Sequence, residues 1–157
     1  MPFYYCNMAT KRKSQEKRIA DDAAVYSASP LPLALPLPKL IESIKKGLPF
    51  SGFEKLRSLL GVAAKELAGT LQIATRTLAH RREAGRLRPD ESERLYRVAR
   101  LFDRAIELMG SEEAARTWFT TPKRALGGVS PLQFADTEPG AREVEHLIGR
   151  LEHGVFS

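Results

Sequence analysis

Between Pro89 and Gly110 the apolar residues recur every three or four positions: Leu95, Val98, Ala99, Phe102, Ala105, Ile106 and Met109. That spacing lines one face of an α-helix. Pro89 has no N–H to leave unpaired in a first turn, and Asp90 and Glu91 suit the positive end of the helix dipole. Gly110 closes the segment. A helix this long with an unbroken apolar stripe has to bury it against other helices or a sheet.

The rest of the chain supplies helices. Lys39 to Lys46 places Leu40, Ile41 and Ile44 on one side. Ser51-Gly52-Phe53-Glu54 fits a capping box, followed by Leu56, Leu59 and Leu60 and a stop at Gly61. A helix over about Ala63 to Leu71 turns inward Leu67, Ala68 and Leu71, and Gln72-Ile73-Ala74 leads into another from Thr75 to Glu83, ended by Gly85. Beyond Gly110, Ser111-Glu112-Glu113 opens a helix reaching Trp118 and Phe119, both read as core. TTPKRALGGVSP reads as loop, with Ser130-Pro131 able to start one more turn. The last helix begins near Thr137-Glu138-Pro139 and turns Val144, Leu147, Ile148 and Leu151 inward. No segment alternates as a half-buried strand does, so the expected fold class is all-α. Residues 9–29 are polar and begin with Lys11-Arg12-Lys13. The run SPLPLALPLP, Ser29 to Pro38, reads as an extended spacer free of helix. The expected division is a basic, proline-rich segment over 1–38, a helix-turn-helix domain over 39–104 and a second helical domain over 105–157.

Charge is distributed unevenly along the chain. Residues 51–105 carry 12 basic and 7 acidic side chains, and residues 106–157 carry 5 and 8. A polyanionic partner therefore belongs to the front of the molecule. The single cysteine, Cys6, excludes an internal disulfide and a multi-thiolate metal site, which suits a cytoplasmic location. No stretch approaches the roughly 20 apolar residues of a membrane span, and no membrane partner is expected. The opening MPFYYCNMATKRKSQEKR lacks signal-peptide order, since its lysines follow the apolar residues.

The densest chemical signal is AKELAGTLQIATRTLAHRREAG. Two short helices joined by a tight turn form a helix-turn-helix, whose second helix can enter the DNA major groove. Thr75, Arg76, Thr77 and His80 fall at the start of that second helix, with Arg81 and Arg82 one turn on. Arginine reads guanine bidentately, and hydroxyls and arginines hold phosphates. Many such turns carry glycine where Gln72 stands. Catalytic and metal signals are thin. Glu143-Val144-Glu145-His146 is one copy of a pattern that di-iron bundles need twice, and His146 and His153 lack a third ligand. No catalytic residue, metal or cofactor is expected, and the chain does not read as an enzyme.

The run from about Leu56 to the end resembles the Xre/MbcA/ParS antitoxins, the partners of RES-domain toxins. Three stretches carry the likeness in order: ELAGTLQIATRTLAHRR, RLRPDESERLYRVARLFDRAIELMG, and EEAARTWFTTPKRALGGVSPLQFADTEPGAREVEHLIGRLEHGVF. The resemblance, closest to the ParS branch, implies a type II antitoxin. Its front module would bind operator DNA and regulate its own operon. Its rear module would silence a toxin that degrades NAD or transfers ADP-ribose from it. The C-terminal end would reach the toxin's active-site cleft, which maps onto Gly154, Val155, Phe156 and Ser157, with Arg150 and His153 just before them. A homodimer within a larger toxin–antitoxin complex is the expected assembly. The alternative is a free-standing helix-turn-helix repressor with no toxin partner.

Overall fold

A computed structural model describes residues 35–154. Among them are eight α-helices: α1 (Leu37–Lys46), α2 (Phe50–Leu60), α3 (Ala64–Thr70), α4 (Thr75–Ala84), α5 (Pro89–Met109), α6 (Glu112–Thr120), α7 (Pro131–Phe134) and α8 (Glu138–Glu152). A 3₁₀ turn spans Arg124–Leu126, and the only β-pairings among these residues are two isolated bridges. The protein is all-α.

Helix α1 starts two residues before the expected position. Pro38 sits in its first turn, where a missing N–H costs nothing, so the proline run is not free of helix to its end. Residues 29–34 of that run lie outside the described part. Gly47 ends α1 at φ 88, and a Cβ there would collide with the Leu87 carbonyl oxygen. That approach lets Leu87 N–H donate to the Leu48 carbonyl at 2.9 Å and Phe50 N–H to the Gly85 carbonyl at 2.9 Å. The second bond explains why the expected capping box does not form. Helix α2 begins at Phe50 with Pro49 as its N-cap and no side-chain cap, because a backbone carbonyl already satisfies the first N–H. Glu54 is free for arginines instead.

One cluster of buried side chains runs from Leu48 to Ile148. Its axis is α5, which buries Leu95, Val98, Ala99, Leu101, Phe102 and Ala105. Phe102 meets Phe119 of α6 edge-on with ring centroids 5.6 Å apart, and Phe50 stacks on Phe53 at 5.2 Å. The expected limit between residues 104 and 105 falls inside α5, so the core crosses it unbroken. Phe119 is fully buried, whereas Trp118 stays half-exposed at the edge.

Helix α8 lies along α5. Ala141, Val144 and Ile148 are buried, with Leu147 and Leu151 at the margin. Beside this seam runs a ladder of ion pairs: Arg97–Glu138 at 3.2 Å, Arg100–Glu145 at 3.2 Å, Arg104–Glu145 at 3.0 Å and Arg104–Glu152 at 3.0 Å. Residue numbers rise together along both helices, so they run parallel, and α6, the 3₁₀ turn and α7 carry the chain back between them. The start of α8 is fixed by Thr137, whose hydroxyl accepts from Gly140 N–H at 3.3 Å. A Cβ on Gly140 would collide with the Phe134 carbonyl oxygen, whereas one on Gly149 of the same helix meets open space. Gly140→Ala is therefore expected to destabilise the fold by about 1–3 kcal/mol. Gly149→Ala should be neutral or stabilising by up to about 1 kcal/mol, through helix propensity. Urea unfolding of the two variants compares them directly.

Candidate DNA and toxin interfaces

Helices α3 and α4 form the expected helix-turn-helix. Leu67, Ala68, Leu71, Ile73 and Leu78 are buried where the two helices meet, and Ile73 N–H donates to the Ala68 carbonyl at 2.8 Å. Gln72 turns the corner at φ 55, a left-handed conformation that side chains with a Cβ seldom adopt. Its Nε2 donates to the Asp136 carbonyl at 3.1 Å, in the loop before α8. From the other side, Arg94 of α5 donates to the Leu71 carbonyl at 3.0 Å. The turn is braced by two elements remote from it in sequence.

The six residues assigned to DNA contact fall into different environments. Thr75, Arg76 and His80 are exposed at the start of α4, and Thr77 is half-buried. Arg81 turns inward, with a side chain 15% exposed against 7% for Glu91. Its Nε donates to both Glu91 carboxylate oxygens, at 2.8 and 3.1 Å, and Glu91 also accepts from Arg88 N–H at 2.8 Å. This pair fastens the second helix of the motif to the first turn of α5. Arg82 reaches back to α2, where it donates to Glu54 at 2.9 Å and lies over the Phe50 ring, 5.6 Å from its centroid. Partial burial raises the Glu54 pKa, but Arg57 and Arg82 outweigh it and hold the carboxyl below its ordinary value. Arg81 and Glu91 lie ten residues apart on different helices, a relation that sequence spacing does not reveal.

At the other end of the molecule, Arg150 is half-buried and donates to Glu143 at 3.1 Å. His153 caps α8 and is exposed, and Gly154 follows at φ 66 with its N–H donating to the Leu151 carbonyl at 3.3 Å. Val155, Phe156 and Ser157 lie outside the described residues. Among the described residues no group of His, Cys, Asp and Glu could hold a metal, and no helix is long and apolar enough to cross a membrane.

Residues 39–100 match the antitoxin Xre-like helix-turn-helix domain, and residues 92–154 match the antitoxin Xre/MbcA/ParS C-terminal toxin-binding domain. The chain is 42% identical over 120 residues to antitoxin Xre of Yersinia enterocolitica, covering 75% of this chain and 81% of the relative. It is 34% identical over 122 residues to antitoxin Xre of Photorhabdus laumondii, covering 76% and 82%. A Prs ADP-ribosylating antitoxin of a Sphingobium species is 28% identical over 160 residues, covering 93% and 95%. Fold and matches together define an antitoxin of a toxin–antitoxin system, a helix-turn-helix domain followed by a toxin-binding domain. The chain belongs to the Xre/MbcA/ParS antitoxins. A toxin-binding domain speaks against a repressor that works alone.

The two arginines of α4 provide a contrast. Arg81→Ala leaves the Glu91 charge buried without its partner and is expected to cost about 3–5 kcal/mol. Arg76→Ala, at an exposed position, should stay within about 0.5 kcal/mol of wild type. Denaturant titration of both variants measures the difference.

Proposed function

We propose that this antitoxin neutralises a RES-domain toxin by placing its C-terminal end in the toxin's active site, and represses its own operon by binding operator DNA. The observation that carries the first half is the way α8 is held. A buried seam and a ladder of ion pairs bind it along α5, and Gly154 ends it in an exposed left-handed turn. Up to Gly154 the chain is thus held to a rigid base. Burying a side chain such as Phe156 in a partner pocket is worth roughly 1.5–3 kcal/mol. The likeness to an antitoxin named for Prs ADP-ribosylation, over 93% of this chain, supports an NAD-consuming partner. The chain itself acts by occupancy and catalyses nothing, and it works in the cytoplasm.

For the second half, Thr75, Arg76 and His80 form the exposed end of α4, with Thr77 and Arg82 at its margins. Arg81 contributes by positioning α4. Two copies related by a two-fold axis would set two such helices on inverted half-sites. In functional terms residues 39–104 serve the operator, residues 105–157 the toxin, and residues 1–38 form a basic extension.

Both halves are testable with a purified RES-domain toxin. Deleting residues 154–157 should leave melting and operator binding unchanged while releasing NAD turnover by the toxin; continued inhibition at equal expression refutes placement of the tail in the cleft. Operator affinity should fall by about 0.9 log unit per log unit of salt for each phosphate neutralised. Arg76→Ala should weaken it by about 1–3 kcal/mol and relax sequence preference, as read by gel shift against base-substituted operators.

A further inference from the structure

The C-terminal domain carries a helix face that no other described part of the chain covers. Ala114, Thr117, Trp118 and Thr121 follow one another at the spacing of one side of α6. With Ser111, Glu113 and Lys123 they line a shallow depression. Ala114, Thr117 and Thr121 are exposed and Trp118 is half-buried. This tryptophan, the only one in the chain, leans on the buried Phe119 with ring centroids 6.3 Å apart. The Lys123 ammonium lies over its ring, 5.4 Å from the centroid, and burial pushes the Lys123 pKa below the ordinary lysine value.

The hydroxyls of this wall are already engaged. Thr117 Oγ1 donates to the Glu113 carbonyl at 3.0 Å, Thr121 Oγ1 donates to the Thr117 carbonyl at 2.6 Å, and Ser111 Oγ accepts from Ala114 N–H at 3.2 Å. The Ala114 methyl and the Trp118 indole stand in this lining together with the charged Glu113 and Lys123. A protein side chain finds apolar area to bury inside a charged rim, the anatomy of a protein–protein contact. The whole face lies within residues 92–154, the segment matching a toxin-binding domain.

We propose that this face of α6 is a second docking surface for the toxin, separate from the C-terminal tail, receiving an apolar or aromatic toxin side chain between Ala114 and Trp118. Tryptophan is over-represented among residues that dominate binding energy, and here it is anchored from behind by the core. Two contacts on one rigid module would hold the toxin more tightly than either alone, because the second forms at high effective concentration.

The inference rests on the functional reading above for the identity of the toxin, and the experiment separates the two. The full-length chain is titrated calorimetrically with a purified RES-domain toxin, alongside Ala114→Arg and Thr117→Arg. Arginine is a good helix former and both positions are exposed, so the melting midpoint should stay at the wild-type value. The expected result is about a tenfold or larger loss of toxin affinity for each variant with operator affinity intact. Residual binding by the chain lacking residues 154–157 should disappear when Thr117→Arg is added. Wild-type affinity in both arginine variants overturns the docking surface while leaving the functional reading standing. A shift of the antitoxin alone from dimer to monomer overturns it too, by making a second copy the occupant. No binding by the wild-type chain overturns the functional reading, and this inference with it.

Discussion

The register between α5 and α8 governs how the molecule is put together. Their buried seam supplies the energy, through Val98, Phe102, Ala105, Val144 and Ile148. A slip of one turn would open voids in this close-packed seam. It would also break the ion pairs, because Glu138, Glu145 and Glu152 recur every seven residues and meet Arg97, Arg100 and Arg104 in one alignment. Arg97 is only 14% exposed and its neighbours partly so, and the pairs reinforce the alignment that the seam selects. Everything toward the C-terminus inherits its position from that choice, including the turn at Gly154.

The same ladder revises the meaning of the charge distribution. Read along the chain, a basic front and an acidic rear suggest two partners of opposite sign. In the folded molecule three arginines of the basic stretch meet three glutamates of the acidic one. Arg81 and Arg82 are likewise paired with Glu91 and Glu54. Much of the sequence asymmetry is thus an internal complementarity. The positive surface left at the helix-turn-helix is narrower than the composition implies, with Arg76 among its exposed arginines.

The long helix, the order of the other helices and the interior of the helix-turn-helix were legible from periodicity, because repeat spacing and burial have the same cause. Gly61, Gly85 and Gly110 end their helices in left-handed turns, as a residue without a Cβ allows. The capping box at Ser51 was misleading because local pattern competed with a long-range bond from Phe50 to Gly85. The inward turn of Arg81 was hidden for a similar reason: its partner belongs to another helix. The Gln72 corner departs from glycine in the sequence itself, but its link to the Asp136 carbonyl joins positions 64 residues apart, beyond any local rule. The seven-residue recurrence of Glu138, Glu145 and Glu152 was present in the sequence; pairing it with the arginines of α5 required knowing that the two helices run parallel.

The buried cluster that runs unbroken from Leu48 to Ile148 also bears on the lifetime of the molecule. A chain made of two separately folded halves joined by a linker can lose one half to a protease and keep the other working. Here α5 belongs to both halves, and opening either one exposes the core of its neighbour, so unfolding proceeds as a single cooperative unit. The helix-turn-helix and the toxin-binding domain therefore share one fate. When the chain is cleared, both are lost together.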